Sequence, residues 1–224
     1  MRINRFVASS SGLSRRAADE AIAAGRVKIN GHAAALGQNV EPAAAVTLDG
    51  TPLAIKTGHT YLMLNKPTGY VSSHVRQTAD PTLYELIPAE YAKLRITGRL
   101  DRDSSGLILL SDDGDFIQSL AHPSRGKTKE YELTLSSAPT PDHLAKLAAG
   151  IPLRDGISRI TVTTSSGKHL TVTLGEGRNR QIRRTFGSLG LTVERLHRTR
   201  IGSYELGNLP AGGWQLVNIS GGKI

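Results

Sequence analysis

The sequence predicts an α+β protein in which a small module of helices and a hairpin precedes a larger domain, built on a largely antiparallel, mixed β-sheet flanked by helices. Two short helical patterns and a hairpin signal are grouped within the first 48 residues. After residue 59, seven apolar or alternating stretches of strand length follow, with only three helical patterns among them. The 224-residue chain is 38% hydrophobic and is long enough to bury a core in each part.

The first part of the chain is predicted to begin with two helices. Ile3, Phe6 and Val7 would share one face of a short helix, which a run of three serines and a glycine interrupts. Ser14 is a suitable N-cap for a second helix over residues 15–24, and a glycine follows where a stop is expected. The spacing therefore predicts two short helices joined by a tight turn.

A hairpin follows the second helix. Val27 and Ile29 alternate with basic residues, and Asn30 with Gly31 suits a type I′ turn. A proline and an Asp-Gly pair mark the exit from this part of the chain. The sequence therefore predicts three segments: a small domain over 1–48, a strand end and linker over 49–58, and a larger domain over 59–224.

Strand candidates dominate the larger domain. Helical patterns cover residues 115–121, 141–149 and 179–189. Because few helices separate the strand candidates, an antiparallel arrangement is favoured over alternating βαβ units. The strand candidates, in chain order, are TYLMLN, GLILLS, EYELTLS, ITVTTS, HLTVTLG, LTVERL and GWQLVNI.

The chain is strongly basic: 28 Lys and Arg side chains against 19 Asp and Glu give a net charge of +9. A surplus of this size points to a polyanionic partner, with nucleic acid as the first candidate. The absence of cysteine excludes disulfides, thiolate metal sites and a cysteine nucleophile. The longest aliphatic run, LILL, is too short to cross a membrane, and the N-terminus lacks a signal-peptide pattern. We therefore expect a cytoplasmic protein without a membrane partner.

The first 48 residues carry six basic and three acidic side chains, a net charge of +3. A solvated helix face would explain this composition. However, RINRFVASSSGLSRRAADEAIAAGRVKINGHAA, followed by LGQNV and LDG, resembles the S4 RNA-binding domain. Its hallmarks are Ser-Arg-Arg at the start of the second helix and a later Gly-x-Val-x-Ile-Asn-Gly. The resemblance implies RNA contacts by basic residues of this module: Arg2, Arg5, Arg15, Arg16 and Lys28.

Two closely spaced carboxylates, Asp101 and Asp103, precede a buried strand candidate in GRLDRDSSGLILLSDDGD. With Asp112 they approach a calcium-loop pattern, but the second half of that loop would be wholly aliphatic and its last ligand would be Asp rather than Glu. A Mg²⁺-dependent Asp-x-Asp hydrolase and a structural turn, in which Asp and Ser cap backbone amides, stay open on these residues.

The same stretch resembles the catalytic motif of bacterial ribosomal-RNA pseudouridine synthases, Gly-Arg-Leu-Asp followed by Ser/Thr-x-Gly-Leu and an Asp-Gly pair. The similarity continues through LNKPTGYVSS, HPSRGKTKEYEL, EGRNRQIRRTFGSLG and LHRTRIG. With an S4 domain in front, this order is similar to the RsuA/RluB/RluF-type branch of the family. The resemblance implies an enzyme that isomerises uridine to pseudouridine, and it assigns the nucleophile to Asp101.

This reaction cleaves the C1′–N1 bond, turns the uracil and rejoins it through C5, with no net redox change and no group lost. A carboxylate can carry it out without a metal or a cofactor, so we expect neither. Asp101 would either add to C1′ or help to remove the C2′ proton to give a glycal, and the sequence leaves both routes open. Either role needs an ionised carboxylate in a pocket, which calls for a neighbouring cation.

The family pattern Gln-(Ile/Val)-(Arg/Lys) assigns that cation to Arg183 in RNRQIRR. On a helix, Arg180, Arg183 and Arg184 would share one face, so one arginine could enter the pocket while its neighbours meet phosphate. A strip of arginines that binds only phosphate is the alternative. The resemblance implies substrate contacts for the other arginines of this segment: Arg178, Arg180 and Arg184.

Further site residues also follow from the resemblance. Tyr131 matches a pocket tyrosine that stacks on the flipped base or takes part in proton transfer, although a half-buried strand tyrosine would also explain its pattern. Leu196 matches a leucine that packs against the target base. Substrate contacts are implied for Arg99, and phosphate contacts for Lys66 and Lys129.

The segment from residue 176 to 200 carries seven arginines and two acids, a net charge of +5, as tracking of a phosphate backbone requires. A uridine in folded RNA must also be unstacked before a carboxylate can reach C1′. Together with the resemblance, this charge predicts that the protein acts on ribosomal RNA or a pre-ribosomal particle. We also expect it to be a monomer. The QIRR sequence slightly favours 23S over 16S RNA, and a tRNA target stays open.

Two other functions compete with this interpretation. A non-catalytic RNA-binding or ribosome-assembly protein would use the S4 module and an inert second domain. A metal-dependent phosphoesterase would use Asp101, Asp103 and Asp112. The joint presence of Asp101, Tyr131 and Arg183 favours the synthase over an inactive relative.

Overall fold

The computed structural model describes residues 1–55, 58–76, 79–121 and 127–218. They form two compact units, the first built on residues before Thr60 together with Asp112–Gly114, and the second on the remaining described residues. Both units contain strands and helices, so the predicted α+β class is confirmed. None of the helices in these ranges combines the length and apolarity that crossing a membrane requires.

Two helices and a four-stranded antiparallel sheet, in the order β2-β1-β3-β4, make up the first unit. The first helix ends at Gly12, whose φ of 78° is left-handed. The Ser14 hydroxyl caps the second helix by accepting a hydrogen bond from Ala17 N at 3.0 Å. The elements are α1 Ile3–Ser11, α2 Arg15–Ala23, β1 Val27–Ile29, β2 His32–Ala33, β3 Val46–Leu48 and β4 Thr51–Leu53.

Local signals in the sequence account for most of this unit. Asn30 and Gly31 have φ values of 50° and 83°, and a type I′ turn needs both to be positive. Ile3 and Val7 are fully buried, as the helical pattern predicts. Within residues 49–58, predicted as a strand end and linker, residues 51–53 form a strand of their own, β4, which pairs with β3.

The second unit contains three helices, two 3₁₀ turns and eleven strands among its described residues. The helices are α3 Gly114–Ala121, α4 Pro141–Ala149 and α5 Gln181–Gly187, and the 3₁₀ turns are Leu83–Leu86 and Ala89–Tyr91. The strands are β5 Tyr61–Lys66, β6 Arg95–Ile96, β7 Ser105–Ser111, β8 Lys129–Leu135, β9 Ile151–Leu153, β10 Gly156–Ser158, β11 Thr161–Ser166, β12 His169–Leu174, β13 Val193–Ile201, β14 Tyr204–Glu205 and β15 Trp214–Leu216.

A mixed sheet organises these strands in the order β11-β12-β8-β13-β7-β5-β15, with β14 added beside β13 and β6 beside β7. Each named strand pair of this sheet is antiparallel except β13 with β7, which is parallel. Strands β9 and β10 form a separate hairpin. The prediction of a largely antiparallel, mixed sheet flanked by helices is confirmed.

The central strands are buried on both faces, which explains why β7 is an unbroken apolar run. Ile108 and Leu110 of β7 belong to a core that α4 and α5 cover. Leu107 and Leu109 belong to a second core on the other face, where Phe116 of α3 packs. Helices therefore lie on both sides of the sheet.

Gly106 permits the parallel contact between β7 and β13. Its φ is +107°, and a Cβ at this position would lie 2.2 Å from the carbonyl oxygen of Arg198. In the parallel register Arg198 is the partner of Gly106. Only a residue without a side chain allows the two backbones to approach this closely.

Candidate active site

A cavity of about 360 Å³ opens in the second unit, within the usual size range of small-ligand pockets. Loop 97–104, the sheet face formed by β8, β12 and β13, and the segment 177–183 line it. Six cationic side chains reach this cavity among the described residues, but only one carboxylate, that of Asp101. The charge balance favours an anionic ligand around one reactive acid.

Asp101 lies in the loop that precedes β7. Its side chain is 34% exposed, and Arg180 Nη1 lies 3.7 Å from Asp101 Oδ2. The carboxylate therefore opens into the cavity beside a guanidinium. In this setting an ionised carboxylate can serve as a nucleophile or as a general base.

The loop that carries Asp101 is held through its main chain on both sides of this residue. Ser72 Oγ donates a hydrogen bond to Leu100 O at 2.7 Å and accepts one from Leu100 N at 3.2 Å. After Asp101, Lys66 Nζ donates to Ser104 O at 2.7 Å. The carboxylate is therefore positioned before any ligand arrives, as a catalytic group should be.

Lys66 does not have the phosphate contact that the sequence analysis assigned to it. The residue is 0% exposed at the end of β5, and its second hydrogen bond goes to Pro67 O at 2.9 Å. A side chain in this position cannot meet an RNA backbone. It instead satisfies main-chain oxygens that would otherwise lack donors beneath the loop.

We expect the stability of the protein to depend on the protonation of Lys66. Burial lowers its pKa from 10.5 to about 8, against the opposing attraction of Asp101 and Asp103. Below pH 8 the ammonium is charged in both the folded and the unfolded chain, and its burial destabilises the fold. Between the two pKa values the unfolded chain binds the proton and the folded chain releases it, so stability rises with pH in this window.

Urea unfolding of the wild type and of Lys66→Met tests this expectation. From about pH 7 to about pH 10, the free energy of unfolding of the wild type should rise relative to the variant by up to about 3 kcal/mol, since one pKa unit corresponds to about 1.4 kcal/mol. A difference that stays constant over this range would contradict the pKa shift of Lys66.

Ser72 should matter for the rate of a reaction at Asp101 more than for binding of the ligand. The variant Ser72→Ala loses both hydrogen bonds to Leu100, and a displaced carboxylate should lower kcat by about tenfold or more, while the affinity for RNA, the ligand that the resemblance predicts, stays constant. Ser73→Ala is the matched control, because in the described part of the chain the Ser73 hydroxyl bonds to the exposed Val75 backbone and not to the loop that carries Asp101. Equal kcat values for the two variants would contradict a positioning role for Ser72.

The pairing of arginines and carboxylates differs from the expected one. Arg183 was expected beside Asp101, but its Nε lies 3.2 Å from Asp103 Oδ2, and its Nη atoms donate to Asp103 O and Val193 O. Arg180 forms a two-point hydrogen bond to the Asp103 carboxylate, at 2.9 and 2.8 Å. Among the described residues, Arg180 is therefore the cation nearest to Asp101. Arg183 instead binds Asp103, two residues further along the same loop.

The backbone explains this exchange of roles. The predicted helix over 179–189 is shorter, Gln181–Gly187, and Arg180 precedes it with a left-handed φ of 45°. Arg180 thus does not share a helical face with Arg183. The left-handed conformation turns its side chain toward loop 97–104 instead.

Arg178 and Arg184 are engaged by the protein itself. Arg184 forms a two-point hydrogen bond to the Asp155 carboxylate, at 3.0 and 2.8 Å. Arg178 donates to Asp155 Oδ1 and to the main-chain oxygens of residues 155, 156 and 157. Arg178 lines the cavity and Arg184 does not, so the substrate contact expected of Arg184 would have to lie outside the cavity.

The sheet face brings the other expected residues together. Tyr131 and Lys129 share one face of β8, and in the sheet register Arg198 of β13 lies opposite Tyr131. These three residues and Leu196 line the cavity, and each is less than one-tenth exposed. Arg99 lines the same cavity from the loop and is exposed. The apolar side chains therefore lie deep in the cavity, and the exposed Arg99 lies at its opening.

The sequence analysis missed Arg198 as a site residue. Its buried guanidinium donates to Leu107 O at 2.8 Å and Gly98 O at 3.2 Å, so it ties the start of β7 to the loop before Asp101. The Gly-Arg-Leu-Asp and Leu-x-Arg patterns contain these residues, but their contact is between distant parts of the chain. Only the parallel pairing of β13 with β7 brings them together.

The three carboxylates of the alternative metal site are not brought together. Strand β7 separates Asp112 from Asp103, and Asp103 is bound by two arginines. Across the described ranges, no group of three or more His, Asp or Glu side chains could hold a metal ion.

Basic residues of the first unit are mostly accessible. Arg2, Arg15, Arg16 and Lys28 are exposed, and Arg5 is partly buried. Arg15 and Arg16 form the first turn of α2. The first part of the motif HPSRGKTKEYEL, residues 122–126, lies outside the described residues.

Comparisons with known proteins match both units. The family described as RNA pseudouridylate synthase matches residues 60–188, and the S4 domain family matches residues 1–46. Among solved structures, one described as the crystal structure of pseudouridylate synthase is similar to 97% of this chain and 96% of its own, with a TM-score of 0.71 and 32% identity.

Curated relatives cover most of the chain. The ribosomal small subunit pseudouridine synthase A of Salmonella typhimurium is 37% identical over 212 residues, which are 92% of this chain and 91% of that protein. An uncharacterized RNA pseudouridine synthase of Mycobacterium tuberculosis is 38% identical over 218 residues, which are 92% of this chain and 85% of that protein.

Proposed function

Because the chain belongs to the RNA pseudouridylate synthase family, we propose that it converts a uridine of ribosomal RNA to pseudouridine, with Asp101 as the nucleophile. The observation that carries this proposal is the single carboxylate in a cavity lined by six cations, held in place by main-chain hydrogen bonds. Tyr131 and Leu196 form the apolar floor against which a uracil ring would pack. The chemistry needs no group beyond these side chains.

In the proposed reaction the Asp101 carboxylate engages the ribose while the C1′–N1 bond breaks, and the bonding electron pair moves to the uracil. The base then turns and its C5 forms the new bond to C1′. The proton on C5 is lost and N1 gains one, so the product is an isomer of the substrate. The positive charge of Arg180, 3.7 Å from Asp101 Oδ2, attracts the carboxylate electrostatically.

RNA is the partner that the charge of both units favours. Arg15 and Arg16 stand in the first turn of α2, where positive side chains face the positive end of the helix dipole and lower the stability of the helix. A phosphate group bound there would relieve this repulsion. We propose that residues 1–48 bind the RNA backbone and that the larger domain, beginning at residue 59, holds the reacting nucleotide.

We propose small-subunit RNA as the substrate. The QIRR sequence slightly favoured 23S RNA, but the Salmonella relative, 37% identical over 92% of this chain, is named for the small subunit. A monomeric state and a cytoplasmic location stay predictions from the sequence.

The test is to incubate the purified protein with unmodified 16S and 23S RNA, and with 30S particles, and to map pseudouridine at single-nucleotide resolution. One new site in 16S RNA, formed equally well in the presence of EDTA, is expected. Formation only in 23S RNA would overturn the subunit assignment. Pseudouridine formation that requires an added divalent ion would overturn the metal-free mechanism, provided that a control shows the RNA to be folded in the presence of the chelator.

RNA binding should weaken steeply with salt. If about six phosphates are neutralised, the slope of log K against log salt concentration should be about −4 for single-stranded RNA. Filter binding over a series of KCl concentrations measures this slope. A slope close to zero would contradict a binding mode based on the phosphate backbone.

A further inference from the structure

Lys129 is a buried cation that lines the cavity. The residue is 6% exposed, it lines the cavity, and a Cβ built on Gly177 would lie 3.7 Å from its Nζ. The ammonium therefore lies between the start of β8 and the segment that leads to α5. Within the described part of the chain, it has no hydrogen bond and no ion pair.

The surroundings of Lys129 add positive charge instead of neutralising it. Arg198, whose charge acts on Lys129, is itself buried, and in the described residues its guanidinium donates to the main-chain oxygens of Leu107 and Gly98. Burial and this neighbouring guanidinium both lower the pKa of Lys129. The adjacent carboxylate of Glu130 is bonded to Arg200 and Thr199. A buried charge without a partner costs free energy of folding, so its retention needs a reason.

A phosphate group of the RNA backbone does not supply that reason. Lys129 lies on the same buried strand face as Tyr131, below the exposed Arg99 and Arg180 that a backbone would meet first. What reaches this depth in a flipped nucleotide is the base. Uracil is neutral in the substrate, so the cation must match a charge that appears during the reaction.

We propose that Lys129 Nζ binds the uracil base and stabilises the negative charge that develops on it when the C1′–N1 bond breaks. This inference rests on the proposed function. The electron pair of the broken bond spreads over the ring nitrogens and the two carbonyl oxygens. Hydrogen bonds from Lys129 hold this anion until C5 attacks C1′. The new bond uses the electron pair and leaves the base neutral, and C5 then loses its proton while N1 gains one. Lys129 is thus a catalytic residue for the bond-breaking step.

Charge removal at Lys129 tests the proposal. Single-turnover rates are measured on the 16S substrate for the wild type, Lys129→Met, Lys129→Arg and the control Lys168→Met, which removes an exposed lysine of the β11–β12 hairpin. Lys129→Met should react about 100-fold more slowly with unchanged RNA affinity, as for the loss of one group that stabilises developing charge. Lys129→Arg should recover part of the rate, and Lys168→Met should match the wild type.

A better leaving base separates this role from a structural one. In RNA with 5-fluorouridine at the target, fluorine lowers the basicity of the departing anion, so the rate should depend less on a cation. The loss of 5-fluorouridine is measured by digesting the RNA and separating the nucleosides by chromatography. Lys129→Met should slow this loss by a smaller factor than it slows the conversion of the uridine substrate. A purely structural role predicts equal slowing for both substrates and would overturn the proposal.

Thermal unfolding provides the second readout. Because Lys129 has no acidic partner in the described residues, Lys129→Met should melt at the same or a higher temperature than the wild type. A lower Tm together with the slow rate would point to a folding defect and count against the proposal. If the wild type forms pseudouridine and Lys129→Met is equally fast, only this inference fails; if the wild type forms none, the proposed function fails as well.

Discussion

The variant Asp101→Asn is expected to lose pseudouridine formation by at least about 10⁴-fold, the scale on which removal of a catalytic nucleophile acts. The amide is nearly the same size and keeps the loop in place, because the anchors from Lys66 and Ser72 bind main-chain atoms. It cannot, however, attack C1′ or accept a proton. RNA affinity should stay the same or rise slightly, since a negative charge leaves a cavity lined by cations.

The measurement compares single-turnover conversion with the dissociation constant for the same RNA. Asp142→Asn is a matched control, because Asp142 lies on the surface of α4 and pairs only with Lys146 four residues along. Asp103→Asn should show an intermediate loss, since it weakens the hydrogen bonds to Arg180 and the ion pair with Arg183 without removing the nucleophile. Wild-type conversion by Asp101→Asn would remove the basis of the proposed mechanism.

The variant Gly106→Ala should be the most destabilising single methyl group in the second unit. The new Cβ would meet the carbonyl oxygen of Arg198 at 2.2 Å and its nitrogen at 2.5 Å, and the φ of +107° is unfavourable for alanine. Both strands are buried, so neither backbone can move away without breaking the sheet. We expect a loss of about 4 kcal/mol or more, enough to unfold a marginally stable protein.

Gly190→Ala separates the two causes of destabilisation expected at Gly106, the steric contact with Arg198 and the positive φ. Gly190 also has a positive φ, +77°, but a Cβ there meets nothing within 4 Å. Its loss should be about 1 kcal/mol, from backbone strain alone. Chemical denaturation of both variants gives the comparison, and equal losses would show that the close approach of β7 and β13 is not the reason for glycine at position 106.

The parts of the fold that sequence reasoning predicted depend on neighbours in the chain. The Ser14 cap, the Asn30 and Gly31 turn and the limits of α4 follow from interactions within a few residues. The parallel pairing of β13 with β7 joins residues that are more than ninety positions apart, and no local pattern encodes it. Short pairings such as β9 with β10 were missed for lack of alternation over three residues.

The candidate site divides in the same way. Asp101, Tyr131 and Leu196 were predicted from continuous motifs, and all three line one cavity. The cationic partner of Asp101 was misassigned because Arg180 was expected within the helix. It instead has a left-handed conformation and lies one position before α5 begins. Lys66 was misplaced because charge alone suggests an exposed side chain, while one of the two main-chain oxygens that it binds, Ser104 O, belongs to a loop far along the sequence.

The anchors of loop 97–104 hold peptide groups and make no use of the Arg99 side chain. We therefore expect a mutation at this position to change the exposed rim of the cavity without moving the reactive oxygen. Such an arrangement would let that rim diverge during evolution while the chemistry is inherited intact.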